Sequence, residues 1–399
     1  MTTPRTIVFL GTHGQHNIGD ELLLETFLAG LGDEHSYVVN SYDPPFTRRQ
    51  LDGRFTVEVV DTALDRRLLL ARLLQCDLVC FGGGSIVKEL YASTGRNRYS
   101  TLLMILGIVV FTRWVARRPI AMLAVGVGPL PTRFGLRLAR LLLSRVDELT
   151  VRDARSLATC RALGVEATLV PDAVFARDRS SLLTAAPIGR AAHGPRLRVA
   201  LNLNIDVEQP EQWQPFLDRL AQALIEVDAR RPLELHGLPM QIGFKRNDDA
   251  DVLDDFAARV PQIPFMRHLP DTAAEAARVI DFCEIVVGER FHAVVLASIL
   301  GVPSYVLAYD VKVRELAGLL GLEGWSVDID DRFDSARVAD RIVRLIDERE
   351  TVAEQVAARS AELAEEASGA FASAREWIGA LRDATRPAPP SPLPTRGNG

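Results

Sequence analysis

Thr6-Ile7-Val8-Phe9-Leu10-Gly11-Thr12-His13-Gly14-Gln15-His16-Asn17-Ile18-Gly19-Asp20-Glu21 is the stretch from which the fold can be read. The apolar, β-branched opening predicts a buried strand over Thr6–Leu10. A glycine-bearing turn follows, and an apolar run predicts a helix over Asp20–Leu31. Asp20 and Glu21 stand where the positive end of a helix dipole favours carboxylates. Backbone amides in such a loop can face an anion or a sugar oxygen. The glycine spacing is not G-x-G-x-x-G, so no dinucleotide fingerprint is present. A tight strand–helix turn accounts for the glycines equally well.

The same pattern repeats outward. Tyr37–Asn40 and Val57–Val60 read as strands, and Asp77–Phe81 is a strand running into Gly82-Gly83-Gly84-Ser85. Ile120–Val125 runs into Gly126-Val127-Gly128-Pro129, and Glu148–Val151 into Arg152-Asp153. Strands that end in glycine-rich or charged turns are how open α/β sheets build ligand crevices. The pattern breaks over residues 179–196, where Pro187, Gly189, Gly194 and Pro195 fall together. It restarts with strands at Leu197–Leu203, Leu233–His236, Glu284–Val287 and Ser304–Ala308. The expected class is α/β, with two Rossmann-like domains facing a cleft in the GT-B manner. The expected N-terminal, acceptor-side domain covers 1–178, the linker 179–196, and the C-terminal domain with its helical end 197–384. Residues 385–399 carry five prolines and no apolar run, and are expected to be disordered.

The chain has 399 residues, enough for two domains, and 48% of them are hydrophobic. Its net charge of −6 gives no electrostatic case for nucleic acid. Positive charge is almost entirely arginine; the three lysines are Lys88, Lys245 and Lys312. Cys76, Cys80, Cys160 and Cys283 have no zinc spacing and no disulfide framework, which suits a reducing cytoplasm. The apolar stretch Leu102–Phe111 is half of the roughly 20 residues a bilayer span needs. A buried helix is expected there. Arg113, Arg117 and Arg118 follow directly, so peripheral contact with a membrane surface is the other reading.

The second half carries Gly288-Glu289-Arg290-Phe291-His292 between a strand and a helix. In an extended turn, residues two apart point the same way. A guanidinium fork grips a carboxylate or phosphate, and an imidazole beside it can shuttle a proton near neutral pH. A structural arginine with a hydrogen-bonded histidine is the plainer alternative. Gly82–Gly84 permit close backbone approach to a ligand or simply a packing bend. They are not a nucleoside-triphosphate loop.

Taken in order, these motifs resemble the polysaccharide pyruvyl transferase family. Its Asn-Ile-Gly-Asp-Glu signature is Asn17–Glu21, its triple-glycine strand end is Gly82–Ser85, and its Gly-x-Gly-Pro turn is Gly126–Pro129. Its Val-Arg-Asp strand end is Val151–Asp153, its Arg-x-His helix start is Arg290–His292, and its Tyr-Asp-x-Lys run is Tyr309–Lys312. The resemblance implies transfer of pyruvate from phosphoenolpyruvate to two hydroxyls of one sugar, as a ketal. It implies His292, Arg290 and Arg152 as catalytic residues, with Arg152 and Arg290 sharing the donor anion. Asn17, Asp20, Gly83, Gly84, Ser85 and Lys312 would bind substrate. No metal and no cofactor beyond the donor are implied. The acceptor would be a glycan, free, lipid-linked or nucleotide-linked. His13 and His16 stand where the family would have small or aromatic residues, which leaves acceptor preference at that loop open. A GT-B nucleotide-sugar glycosyltransferase and a non-catalytic sugar-binding homologue are the alternative readings.

Overall fold

The protein is described from a computed structural model, which covers residues 3–51, 53–90, 97–184, 196–204, 213–244, 247–329 and 333–381. The first half runs β1 (Thr6–Leu10), α1 (Ile18–Leu31), β2 (Ser36–Ser41), α2 (Pro44–Leu51), β3 (Val57–Asp61), α3 (Arg66–Gln75) and β4 (Leu78–Gly82). It continues with α4 (Ser100–Val110), a π-helical turn (Phe111–Ala116), β5 (Ile120–Val125), α5 (Arg133–Leu143), β6 (Glu148–Val151), α6 (Ala154–Ala162) and β7 (Thr168–Leu169). These strands form one parallel sheet in the order β3-β2-β1-β4-β5-β6-β7. β4 and β5 are buried throughout, as expected of strands covered on both faces.

After α7 (Arg179–Leu182) comes a second parallel sheet, ordered β10-β9-β8-β11-β12-β13. Its strands are β8 (Leu197–Asn202), β9 (Leu233–Gly237), β10 (Phe265–Arg267), β11 (Ile285–Gly288), β12 (Ser304–Ala308) and β13 (Ser326–Asp328). Between and after them lie α8 (Trp213–Arg230), α9 (Asp249–Ala257), α10 (Ala273–Phe282), α11 (Phe291–Ile299), α12 (Val311–Leu319), α13 (Ser335–Asp347) and α14 (Arg349–Ala380). The fold is two parallel-sheet α/β domains. The 385–399 segment and most of 179–196 lie outside the described residues.

In each sheet the strand order reverses once, between β1 and β4 and between β8 and β11. Those are the points where open α/β sheets leave a crevice beyond their carboxyl ends. The loop after β1 and the triple glycine after β4 flank the first reversal. Asn202 at the end of β8 and Gly288–Arg290 at the end of β11 flank the second. The decisive motifs thus occupy both switch points. β1 and α1 are stitched to the second half: Ile18 N donates to the Met240 carbonyl (2.9 Å), and Gln241 Nε2 to that of Gln15 (3.0 Å).

One apolar core runs from the α1 side of the first sheet through Ala173–Phe175 into the second domain. α14 belongs to both. Its residues Val352 and Val356 are buried in this core, and Phe371 packs edge-on against Phe27 of α1 with ring centroids 5.5 Å apart. Arg375 donates to the Gly30 carbonyl, and Arg5 to that of Leu381. A second core lies under α3, α4 and α5 on the opposite face of the first sheet. The helix expected to be buried at Leu102–Phe111 is buried on one side: Leu102, Ile105 and Val109 are covered, while Leu103 and Met104 are not.

Candidate active site

The first wall is built by the loop after β1. Asn17 is the N-cap of α1, its Oδ1 accepting from Gly19 N at 3.0 Å, so the helix opens at Ile18 rather than Asp20. Asp20 accepts from Thr12 Oγ1 (3.1 Å). Glu21 turns inward, accepts from Gly14 N (2.6 Å), and is pushed up to about 8 by burial. His13 is buried and stacked on Phe9, with centroids 5.9 Å apart, and burial lowers it to about 3. His16 pairs with Asp43 (2.9 Å) and stacks on Phe46. His13 is a core residue here, not a surface for an acceptor.

The glycines after β4 do two jobs. A Cβ on Gly82 would lie 2.1 Å from Phe9, and one on Gly83 2.9 Å from Leu23, so these two allow close packing beneath α1. Gly84 has only Ile86 nearby, at 3.7 Å, and Gly83 and Gly84 both adopt positive φ. That bend delivers Ser85 to Arg152. Arg152 Nη2 donates to Ser85 Oγ (2.9 Å) and Nη1 to Asp172 Oδ2 (2.9 Å). Arg152 and Asp172 are both buried, and the guanidinium carbon sits 4.7 Å from the centroid of Phe291. Arg152, from the first domain, thus rests on the helix start of the second.

That helix start is the second wall. Arg290 is the N-cap of α11 in extended backbone, its N–H donating to Asn202 Oδ1 (2.8 Å). Its guanidinium faces Asp249, with Nε donating to Oδ2 at 2.7 Å and Nη2 to Oδ1, and Nη2 also reaches Gln241 Oε1 (3.3 Å). His292 follows in the first turn. Its Nε2 lies 3.9 Å from Asp172 Oδ1, beyond hydrogen-bond reach, and is buried with no hydrogen-bond partner among the described residues. Burial holds the imidazole below its usual pKa, against the pull of Asp172 and Asp20, so it is neutral at neutral pH.

Two of the three lysines converge here. Lys312 pairs with Asp310 (3.2 Å) and lies over the Tyr309 ring. Lys88, just past the triple glycine, is lowered to about 8 by burial and by the nearby charge of Lys312. The charges of Arg152 and Lys312 act on both the neutral imidazole and Lys88, so the three cations share its neighbourhood. Such a site can bind a small multiply charged anion and move a proton beside it. Among the described residues no group of three or more His, Cys, Asp or Glu is placed to hold a metal ion.

Arg152, His292, Lys312, Asp20 and Ser85 thus share one neighbourhood. Asn17 and Gly83 border it through capping and packing. Arg290 differs from expectation: its fork faces Asp249 instead of standing open to a ligand. Lys88, Asp172 and Asp249 are not among the site residues expected from the sequence. The scarcity of lysine could have flagged Lys88; Asp172 and Asp249 are recognisable only once the chain is folded.

With the geometry in place, the relatives can be compared. Residues 17–311 match the family described as polysaccharide pyruvyl transferase. The amylovoran biosynthesis protein AmsJ of Erwinia amylovora is 22% identical over 307 residues, covering 72% of this chain and 69% of AmsJ. Anabaena HepE, solved with UDP-glucose, superposes with a TM-score of 0.60 at 17% identity, covering 94% of this chain and 98% of HepE. A putative UDP-N-acetylglucosamine 2-epimerase from Listeria monocytogenes gives 0.62 at 12% identity, over 96% and 99% of the two chains. The last two likenesses establish a GT-B-like fold and nothing about substrate. The match to the family covers both walls of the cleft, and the chain belongs to the polysaccharide pyruvyl transferase family.

Proposed function

We propose that this cleft transfers pyruvate from phosphoenolpyruvate to two hydroxyls of one sugar in a polysaccharide or its precursor, closing a ketal. The observation that carries the reading is the buried, unpartnered Nε2 of His292 beside the cations Arg152, Lys88 and Lys312. Family membership and a relative named for amylovoran biosynthesis support a glycan acceptor. The acceptor is free, lipid-linked or nucleotide-linked, and the donor, a cytoplasmic metabolite, puts the reaction in the cytoplasm.

Arg152, Lys88 and Lys312 neutralise the donor's carboxylate and phosphate. Neutral His292 takes the proton of the first sugar hydroxyl and passes it to the methylene carbon, C3, as the hydroxyl oxygen bonds to C2, so that O–H adds across the C2–C3 double bond. The carbon–oxygen bond to phosphate then breaks as the second hydroxyl attacks C2, and the second hydroxyl's proton departs with the phosphate. A neutral imidazole at the start is what this shuttle requires. Positive charge at the departing phosphate lowers the barrier to its loss. Arg290, tied to Asp249 and Gln241, acts as a positioning residue that fixes the start of α11 and hence His292. Asp20, Ser85 and the Gly84 bend border the space left for the sugar. The scheme needs no cofactor besides the donor.

The test is incubation with phosphoenolpyruvate and a panel of free, nucleotide-linked and lipid-linked sugars. Sugar-dependent phosphate release with a pyruvylated product is expected. Consumption of a nucleotide sugar without phosphoenolpyruvate would place the protein among glycosyltransferases instead.

A further inference from the structure

From Leu90 to Val146 the chain contains no aspartate or glutamate and nine arginines, in a protein whose net charge is −6. This interval builds α4, the π-helical turn, β5 and α5 on one face of the first sheet. α4 and α5 lie side by side and run the same way. Tyr99, at the start of α4, packs edge-on against Phe134 in the first turn of α5, with centroids 4.9 Å apart. At the other end Arg145, just past α5, lies over Trp114 of the π turn at 5.7 Å.

Between those two contacts the outward surface is neither core nor ordinary polar surface. Leu103, Met104, Trp114, Val115, Phe134 and Leu141 are between 41 and 59% exposed. Arg117, Arg133, Arg137 and Arg140 are exposed among them. The α5 segment Arg133-Phe134-Gly135-Leu136-Arg137-Leu138 buries Gly135 and Leu138 and turns both its arginines and its other apolar side chains outward. Beneath the π turn is a hollow of about 490 Å³, lined by Arg113, Arg117, Arg118, Pro119 and Trp377 among others.

We propose that the α4–α5 face is a docking surface for an anionic phospholipid bilayer. Exposed indole, phenyl and aliphatic groups interleaved with arginine are what an interfacial helix pair presents to headgroups and the first acyl carbons. Arginine stems can lie along the apolar layer while the guanidinium reaches phosphate. The charge argues against other occupants. A second copy of the same face would bring two arginine clusters together, and Asp147, the carboxylate that lines the hollow, is already paired with Arg113 (2.8 Å). A nucleic acid would leave the exposed aliphatic groups without a partner.

The face is mechanically joined to the cleft. Glu89, next to Lys88, accepts from Thr132 Oγ1 at 2.8 Å, and Thr132 caps α5. The starts of α4 and α5 lie at the carboxyl edge of the sheet, where the cleft opens. Docking would hold the cleft mouth beside the headgroups and select lipid-linked acceptors; that extension rests on the pyruvyl-transfer reading, whereas the docking itself does not.

The test is co-sedimentation of the full chain with vesicles of phosphatidylcholine alone or mixed with phosphatidylglycerol, without donor or acceptor. Binding to the anionic vesicles is expected to exceed binding to the neutral ones by about tenfold or more and to weaken with added salt. Arg137→Glu with Arg140→Glu, and separately Trp114→Ala with Phe134→Ala, should each lower vesicle binding by about tenfold. Both variants should keep wild-type phosphate release on a water-soluble acceptor, which separates a failure of docking from a failure of the pyruvyl-transfer reading. The proposal is overturned if the full chain stays in the supernatant with anionic vesicles or if both double variants bind as wild type does. It is also overturned if the protein is a lipid-independent dimer that these variants split, or if a short RNA binds the face as tightly as the vesicles.

Discussion

Gly19 and His292 meet across the cleft so closely that a Cβ on Gly19 would lie 2.1 Å from Nδ1 of His292. The glycine sits in the first turn of α1, where alanine would be a better helix former. Its conformation does not demand glycine; its neighbour does. Gly19→Ala is therefore expected to leave the melting temperature close to wild type while pushing the imidazole out of place. Displacement of a reacting group by about 1 Å can cost about 10² in rate. Turnover at saturating substrates, measured beside a thermal melt, checks this; an active Gly19→Ala enzyme would mean that the ring position is not critical.

His292→Gln keeps the shape and a hydrogen-bonding group but cannot carry a proton from oxygen to carbon. Turnover should fall by about 10² to 10⁴ with the fold intact. Burial lowers the imidazole pKa in the free enzyme. The acid limb of kcat/KM should accordingly lie below the ordinary histidine value of about 6.5, because protonation removes the acceptor of the hydroxyl proton. A limb above that value would contradict the assignment.

Lys88, at about 8, should lose its charge within the working range of an assay. Lys88→Met is expected to raise the KM for phosphoenolpyruvate by about 10- to 100-fold, the loss of a hydrogen bond to a charged group. Lys88→Arg should retain donor binding and abolish an alkaline limb near pH 8 in kcat/KM. If that limb survives in Lys88→Arg, another group produces it.

Asp172 neutralises Arg152 in a buried pair. Removing one partner of such a pair costs about 3–5 kcal/mol. Asp172→Ala should be destabilised by that order, and phosphoenolpyruvate, supplying its own negative charge, should restore part of it. A larger ligand-induced rise in melting temperature for Asp172→Ala than for wild type is the expected reading; equal rises would separate Arg152 from the donor.

Glu21 gives a stability prediction with a definite sign. Burial raises its carboxyl from 4.5 to about 8, so the folded state favours the protonated form. Its stabilisation is fully present below about pH 4.5 and is lost as pH climbs to about 8. Glu21→Gln removes that titration. The melting temperature of the variant relative to wild type should therefore climb between about pH 5 and about pH 8. A difference independent of pH would show that Glu21 does not titrate there.

The two sheets were legible because parallel strands covered on both faces leave apolar runs such as Leu78–Phe81 and Ile120–Val125. Glycine and charge at their ends then marked the switch points. Among the edge strands Val57–Asp61 is legible, but Thr168–Leu169, Phe265–Arg267 and Ser326–Asp328 are not, because two or three residues are too few to show an alternation. Side-chain use was the hardest to read. The sequence places Arg290 and His292 at a helix start, yet only the fold shows Asp249, 41 residues away in sequence, facing the guanidinium. His13 looked like a loop residue because nothing in Gly11–Gly14 announces that its ring folds back onto Phe9. Lys88 is a lone cation in sequence and becomes a site residue only when Lys312, from the other domain, arrives beside it.

α14 leaves the second domain and ends on α1 of the first, with Phe371 against Phe27 and Gly30. A Cβ at Gly30 would lie 2.5 Å from the Phe371 ring, so that groove is shaped for one occupant. During synthesis the groove around Phe27 and Gly30 is made long before its occupant, Phe371, emerges. The nascent first domain must therefore wait, with an apolar seam uncovered, until Phe371 has been translated. Ribosome-bound chains halted ahead of Phe371 should be open to protease around α1, and full-length chains closed.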